Sequence, residues 1–340
     1  MDEFRFRRRR VLLVLALAIG GTAILILVVG PAVHYATLIK RLQGASPGWL
    51  VLCGVGEALA YAGFIVSYRA VAQMSGGPRL PASVAARVVG LSFGAFSVAT
   101  TVGGLTVDFW ALREAGEPPD RAGARVIALE TLRWALLGIA TWIASVLVLS
   151  GILNGPSWPA PTAWLVVVPL CVAGGAWISA PKRRSRFINA KSRIRRALGV
   201  AVAALALLRE LMSGPSGLRL RAIAGGAVYW AGDILCAWSA LRSFGAGVSL
   251  VPLLIGYTTG YVAEALPLPA GGSGGLEAAM TGGFVLAGAP LSGALLGAIT
   301  FRVFTFWLPA IPALVSVLTV RSLRHRLEEI AVRRREPAAS

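Results

Sequence analysis

Leu266–Glu277 reads L-P-L-P-A-G-G-S-G-G-L-E and lies inside a long hydrophobic region. Prolines and glycines interrupt a helix there, and a carboxylate follows at once. In hydrocarbon, a broken helix leaves backbone N–H and C=O groups without partners. That is tolerated only where protein buries them or where they line a polar cavity. A break of this kind beside a membrane-embedded acid marks a candidate binding or transport site.

The surrounding composition identifies the solvent as lipid. Of 340 residues, 56% are hydrophobic and only 14% charged. Mean hydropathy is +0.72, and a soluble domain carries roughly 25% charge. The 40 glycines suit close helix packing. G-x-x-x-G occurs at Gly90/Gly94, Gly256/Gly260 and Gly293/Gly297, although so many glycines also produce such pairs by chance. The net charge of +18 does not indicate nucleic acid. Its arginines flank hydrophobic spans, in residues 1–10, in a loop at 182–196 and in a tail at 321–340, as the positive-inside rule expects. Basic residues there also attract anionic headgroups. Cys53, Cys171 and Cys236 lie far apart in sequence, without metal-ligand spacing or a disulfide framework.

About 20 apolar residues cross a bilayer as a helix. Candidate spans are Val11–Val33, Gly48–Tyr68, Ala124–Leu149, Ala163–Ala180, Ile223–Leu241 and Leu291–Val320, the last kinked at Pro309 and Pro312. The first is read as an uncleaved span, too long for a signal peptide. The uncharged loop Asn154–Pro161 belongs outside, and Lys182–Arg196 inside. Six spans then place both termini in the cytoplasm of a multi-pass cell-membrane protein. Regions 82–112 and 248–289 do not fit as simple spans. Two readings are open: a pair of short spans each, or re-entrant hairpins, the first entering from the cytoplasm and the second from outside. The expected fold is all-α, with about six transmembrane helices and two oppositely oriented re-entrant hairpins in one domain, residues 11–320. That is the inverted-repeat plan that puts a transporter's site near mid-membrane. Ala197–Met212 is expected to lie along the cytoplasmic interface.

Charges at membrane depth face a cavity or a partner. The chain has Glu57, Arg87, Asp108, Glu130, Arg133, Asp233, Glu264, Glu277 and Arg302 there. Glu130 and Arg133, three apart, can pair on one helix face as a structural or a functional couple. Asp233 and Glu57 have no charged neighbour within a turn and need partners from other helices. Glu277 follows the glycine break, where helix N–H groups favour a carboxylate, so capping alone would explain it. Arg302 lies deep in the last span, and its fork suits a carboxylate or a phosphate. Arg302 is expected to face the hairpin cavity and hold Glu277 or a lipid phosphate.

The same residues resemble a known family. Pro267–Ala278 is similar to the P-x-P-G-G-x-G-x-x-E-A element of the lysylphosphatidylglycerol synthase transmembrane (flippase-like) family, with Gly271, Gly272, Gly274 and Glu277 matching. Gly288–Pro290 resembles that family's turn, and Phe301–Pro309 its R-x-x-T-F-W-x-P span, with Arg302 matching. Gly103–Gly116 resembles its first G-G element through Gly103 and Gly104. It departs where a basic residue is common near Asp108. The resemblance implies a membrane module with two re-entrant hairpins, related to the part that moves aminoacylated phosphatidylglycerol between leaflets. It names no substrate. Some relatives carry a soluble aminoacyl-transferase domain, and this chain is expected to be a stand-alone member.

The leading expectation is a lipid translocase for an anionic or otherwise polar headgroup, with Gly271, Gly272, Gly274, Glu277, Arg302, Gly103, Gly104, Asp108, Asp233 and Glu57 on the path. No Walker motif, cofactor motif or metal cluster is visible. Gly271–Gly275 formally satisfies G-x-S-x-G around Ser273, but the strand–turn–helix context and a base are lacking, since His34 and His325 stand elsewhere. No catalytic constellation is therefore expected. The alternatives are a scaffold or accessory subunit of a separately encoded lipid- or glycan-modifying enzyme and, further off, an intramembrane transferase. Self-association is a further expectation about partners.

Overall fold

The computed structural model describes residues 27, 35–153, 155, 159–178, 193–265 and 274–335. The expected first span, except Leu27, lies outside them, as do Leu266–Ser273 with Gly271 and Gly272, and most of the loop at 182–196. Among the described residues all regular elements are helical: α1 (Tyr35–Gln43), α2 (Pro47–Gln73), α3 (Ala82–Glu114), α4 (Pro119–Leu149), α5 (Pro159–Ile178), α6 (Arg193–Ser213), α7 (Ser216–Ser243), α8 (Leu250–Tyr261), α9 (Gly275–Leu286), α10 (Leu291–Arg302), α11 (Ala310–Leu318) and α12 (Val320–Arg335). Proline opens α2 and α4, where its missing N–H costs nothing.

Among the described residues three helices are long and apolar enough to cross a membrane: Pro47–Gly76, Pro119–Leu149 and Pro159–Ile178. They contain the expected spans Gly48–Tyr68 and Ala124–Leu149 and the described part of Ala163–Ala180. Helix α7 has 28 residues but carries Arg219, Arg221, Asp233 and Arg242. The expected span Leu291–Val320 is not one kinked helix. It divides into α10, a π-helical turn at Val303–Trp307, and α11. The break starts before Pro309 because a proline clashes with the carbonyl four residues earlier, so the disturbance falls in the preceding turn.

The centre of the molecule is the antiparallel pair α2–α7, packed backbone on backbone. A Cβ on Gly63 would stand 2.6 Å from the Gly225 carbonyl, and one on Gly56 2.6 Å from that of Gly232. Only glycine allows this approach. Hydroxyl and thiol groups close the seam at both ends: Ser67 donates to the Ala222 carbonyl at 3.0 Å and Cys53 to that of Cys236 at 3.3 Å. Two cysteines distant in sequence are thus neighbours here, as free thiols.

Each member of the pair leads into a hairpin. Although α3 is helical from Ala82 to Glu114, it is not straight. Twelve residues of straight helix cover about 18 Å, yet Ser92 Oγ donates to the Gly104 carbonyl at 3.1 Å. The chain therefore folds back between them. Both ends of α3 also meet α12 and the turn before it, Arg87 through the Thr319 carbonyl and Glu114 through Arg324. In region 248–289, α8 and α9 have 12 residues each, about 18 Å, too short for a hydrocarbon core of about 30 Å. They pack on one another at Gly256 and Gly283, while Gly260 meets the backbone of Ala279 and Met280.

The two hairpins open toward opposite ends of the α2–α7 pair. The ends of α3 adjoin the Gly76 end of α2, where Arg334 of α12 donates to the Gly76 carbonyl at 2.8 Å. The ends of α8–α9 adjoin the other end, where Ser46 donates to the Ser243 carbonyl and Ala246 faces Gly293. The two halves also share local grammar. Gly76 and Gly245 both turn the chain at φ 74° after α2 and α7, and Gly116 and Gly288 turn it, at φ 84° and 99°, after each hairpin. The other glycine pairs separate: Gly94 receives Ala313, and Gly293 and Gly297 receive Ala246 and Leu241.

Helix α6 packs against the start of α4 and the turn after α2. Val200 touches the start of α4 at Gly123, and Glu210 accepts from Ser75 just beyond α2 at 2.7 Å. The tail helix α12 is docked at that end. Leu323, Leu327 and Ala331 are buried, and Arg334 and Arg125 both pair with the fully enclosed Glu117, at 3.0 and 2.9 Å.

Replacing Gly63 by leucine should prevent the α2–α7 contact. Because backbone rather than a mobile side chain blocks the Cβ, the loss should exceed the roughly 1–3 kcal/mol of ordinary overpacking. Size-exclusion chromatography of detergent-solubilised protein should show loss of the monodisperse peak, with Gly54→Ala as a tolerated control.

Candidate functional site

A cavity of about 300 Å³ lies where the two hairpins meet the central pair. Hairpin α3 supplies Ser92, Gly104 and Asp108, and the second hairpin supplies Tyr261 and Glu264. The central pair contributes Glu57, Phe64, Tyr229 and Asp233. Helix α4 contributes Glu130, Arg133 and Trp134, and α10 with its π turn Phe301, Arg302 and Thr305. Residues far apart in sequence converge because the fold-back of α3 and the end of α8 both reach the interior.

The cavity contains two arginine stations. Arg302 is 4% exposed, and its Nε lies 3.4 Å from Oε1 of Glu277, a residue 1% exposed. The other oxygen of Glu277 accepts the Gly274 N–H at 2.6 Å. Glu277 therefore does both things expected of it: it caps α9 and holds Arg302. Phe306 stands beneath the guanidinium, 4.3 Å from its centre. The second station is Arg133. It bonds Glu130 at 2.7 Å and sits 4.1 Å from the Tyr229 ring and 4.8 Å from that of Phe64. An aromatic face stabilises a cation with no counter-charge. The Glu130–Arg133 couple, which the sequence left open as structural or functional, is part of the cavity wall.

Five carboxylates line this space, from Glu57, Asp108, Glu130, Asp233 and Glu264, against two guanidinium groups. Asp233 accepts a hydrogen bond from Tyr257 of α8, which supplies the partner on another helix that its position demanded. Asp108 Oδ1 is buried without a hydrogen-bond partner. The expected site residues thus divide. Gly104, Glu57, Asp108, Asp233 and Arg302 line the cavity. Glu277 stands behind Arg302, Gly274 caps α9 and Gly103 is buried outside the lining, while Gly271 and Gly272 lie outside the described residues. The expected list omitted Glu130, Arg133, Glu264 and the aromatic wall. The signal for Arg133 was available: an arginine in an apolar helix whose local acid satisfies only part of its fork. Among the described residues no group of three or more His, Cys, Asp or Glu side chains is arranged to hold a metal ion.

An all-helical chain with membrane-length spans and a charged interior cavity between two hairpins is a membrane protein of the polytopic class. The family model for the lysylphosphatidylglycerol synthase TM region matches residues 12–313, and the chain belongs to that family. No curated protein matches the chain.

Truncating Glu277 to alanine should be costly, because it leaves buried Arg302 without that counter-charge and α9 without its cap. A loss of about 3–5 kcal/mol is expected for a broken buried pair. Glu130→Ala should cost much less, since Glu130 is 21% exposed and its arginine keeps the aromatic faces. Thermal midpoints in detergent, compared for the two variants, test this order.

Proposed function

We propose that this chain is a carrier rather than an enzyme, a translocase that passes a lipid headgroup between leaflets while the acyl chains stay in the bilayer. The observation that supports the reading best is the charged cavity held between two hairpins that open toward opposite ends of the bundle. Charged side chains at membrane depth are expensive and persist where a polar cargo or pathway needs them. Membership of a lipid-synthase membrane-region family agrees with a lipid as the cargo.

In this reading the hairpins are re-entrant, hairpin α3 from the cytoplasm and hairpin α8–α9 from outside. With the span at Val11–Val33, both termini then lie on the cytoplasmic side of the cell membrane. The basic tail and the loop at 182–196 rest against anionic headgroups. The excess of carboxylates narrows the expected anionic headgroup. Arg133 and Arg302 suit a phosphate. Five acids suit hydroxyl or amino groups on the same headgroup, so a headgroup that carries both fits the lining better than a bare phosphate. Gly104 at the fold-back of α3 lets backbone line the path without side-chain obstruction.

The test is leaflet exchange in liposomes that hold the purified protein and a fluorescent lipid, either phosphatidylglycerol or an amine-bearing phospholipid. Protein-dependent exchange is expected, faster with the amine-bearing lipid. Arg302→Lys keeps a cation for Glu277 but loses the planar fork, so exchange should fall by about tenfold or more while the protein elutes normally. Exchange of neither lipid would favour a scaffold or accessory subunit instead.

A further inference from the structure

The two arginine stations occupy corresponding places in the two halves of the chain. Gly56 and Gly225, Gly63 and Gly232, and Gly76 and Gly245 are each 169 residues apart. The same interval separates Asp108 from Glu277 and Arg133 from Arg302. Each acid lies on the second arm of its hairpin, and each arginine lies on the helix after it, 25 residues further on. That helix begins in both cases after a positive-φ glycine and a proline cap, Gly116 and Pro118 or Gly288 and Pro290.

Only one pair is made. In the second half Arg302 Nε bonds Glu277 Oε1. In the first half the matching atoms are both orphaned: Arg133 Nε and Asp108 Oδ1 are buried without hydrogen-bond partners. The two groups line the same cavity. Arg133 holds Glu130 through Nη1, so its Nε is free to take a second acid. Buried polar atoms are rarely left unpaired, and each such pair needs a reason.

We propose that Asp108 and Arg133 form, in a second state of the protein, the ion pair that Glu277 and Arg302 form in this one, and that the two pairs alternate. The made pair pins hairpin α8–α9 to α10 and closes that end of the cavity. Making the other pair pins hairpin α3 to α4 and closes the opposite end. Asp108 and Arg133 then position the hairpin for access, in addition to the part Arg133 takes in lining the cavity. Two halves with the same parts in opposite orientation supply two states of similar energy, and a ligand or a single charge can bias such a balance.

The test reads cavity access and needs no lipid exchange, so it can fail while the translocase reading stands, and the reverse. In a background with Cys53, Cys171 and Cys236 replaced by alanine, Thr305→Cys places one thiol on the cavity wall. The protein is reconstituted in oriented vesicles and labelled from each face with a membrane-impermeant maleimide. Asp108→Asn should hold the present state and favour labelling from the hairpin-α3 face. Glu277→Gln, which keeps an acceptor for the α9 cap, should favour the opposite face. The ratio of the two labelling rates is expected to move by about tenfold in opposite directions. Arg133→Gln repeats the first arm should Asp108→Asn fail to accumulate. If both arms leave the ratio as in the parent, or move it the same way, the alternation is wrong.

Discussion

Backbone contact between α2 and α7 is the constraint on which the rest depends. Lipid offers no hydrophobic gain for bringing two apolar helices together, so close van der Waals packing must supply the attraction. Glycines at Gly56, Gly63, Gly225 and Gly232 supply it by removing the side chains that would hold the axes apart. The antiparallel arrangement has a second effect. Whatever follows α2 leaves one end of the pair, and whatever follows α7 leaves the other. The opposite directions of the two hairpins are thus a consequence of how one helix pair packs.

That geometry creates the charged interior. Helices α8 and α9 have 12 residues each, and hairpin α3 and the end of α8 both reach the cavity beside the central pair. The second arm of hairpin α3, the turn that ends α8 and the helices after the two hairpins then bring Asp108, Glu264, Arg133 and Arg302 into one space with Glu57 and Asp233. Each charge found a different local solution. Glu277 uses a helix N-terminus and an arginine, Arg133 uses aromatic faces and a neighbouring acid, and Asp233 uses a tyrosine from another helix. At the bundle end, the buried triad of Glu117, Arg125 and Arg334 solves the same problem while fixing α12.

Much of this could be read from the chain. Hydropathy gave the class and the three described helices long and apolar enough to cross a membrane, and the rule that hydrocarbon tolerates broken backbone only around a polar space pointed to regions 82–112 and 248–289. Arg302 and Glu277 could be paired in advance because one sits where a cap is favoured and the other where nothing local neutralises it. The last span was misread as one kinked helix, since periodicity cannot show a π turn. The sequence left Glu130 and Arg133 open as a structural or a functional couple, because Glu130 offers a local partner. The juxtaposition of Cys53 and Cys236 had no signal at all, being a by-product of register between helices.

Composition alone therefore determined the solvent, the helical class, the places where helices break and the charges that need company, because each follows from the transfer energy of a residue or the dihedral limits of a short segment. Tertiary structure alone decided which charges meet, which end of the bundle each hairpin faces, and that one acid–arginine pair is closed while its counterpart stays open. Those outcomes depend on the register of glycines across an interface between segments about half a chain apart, which no local rule can read.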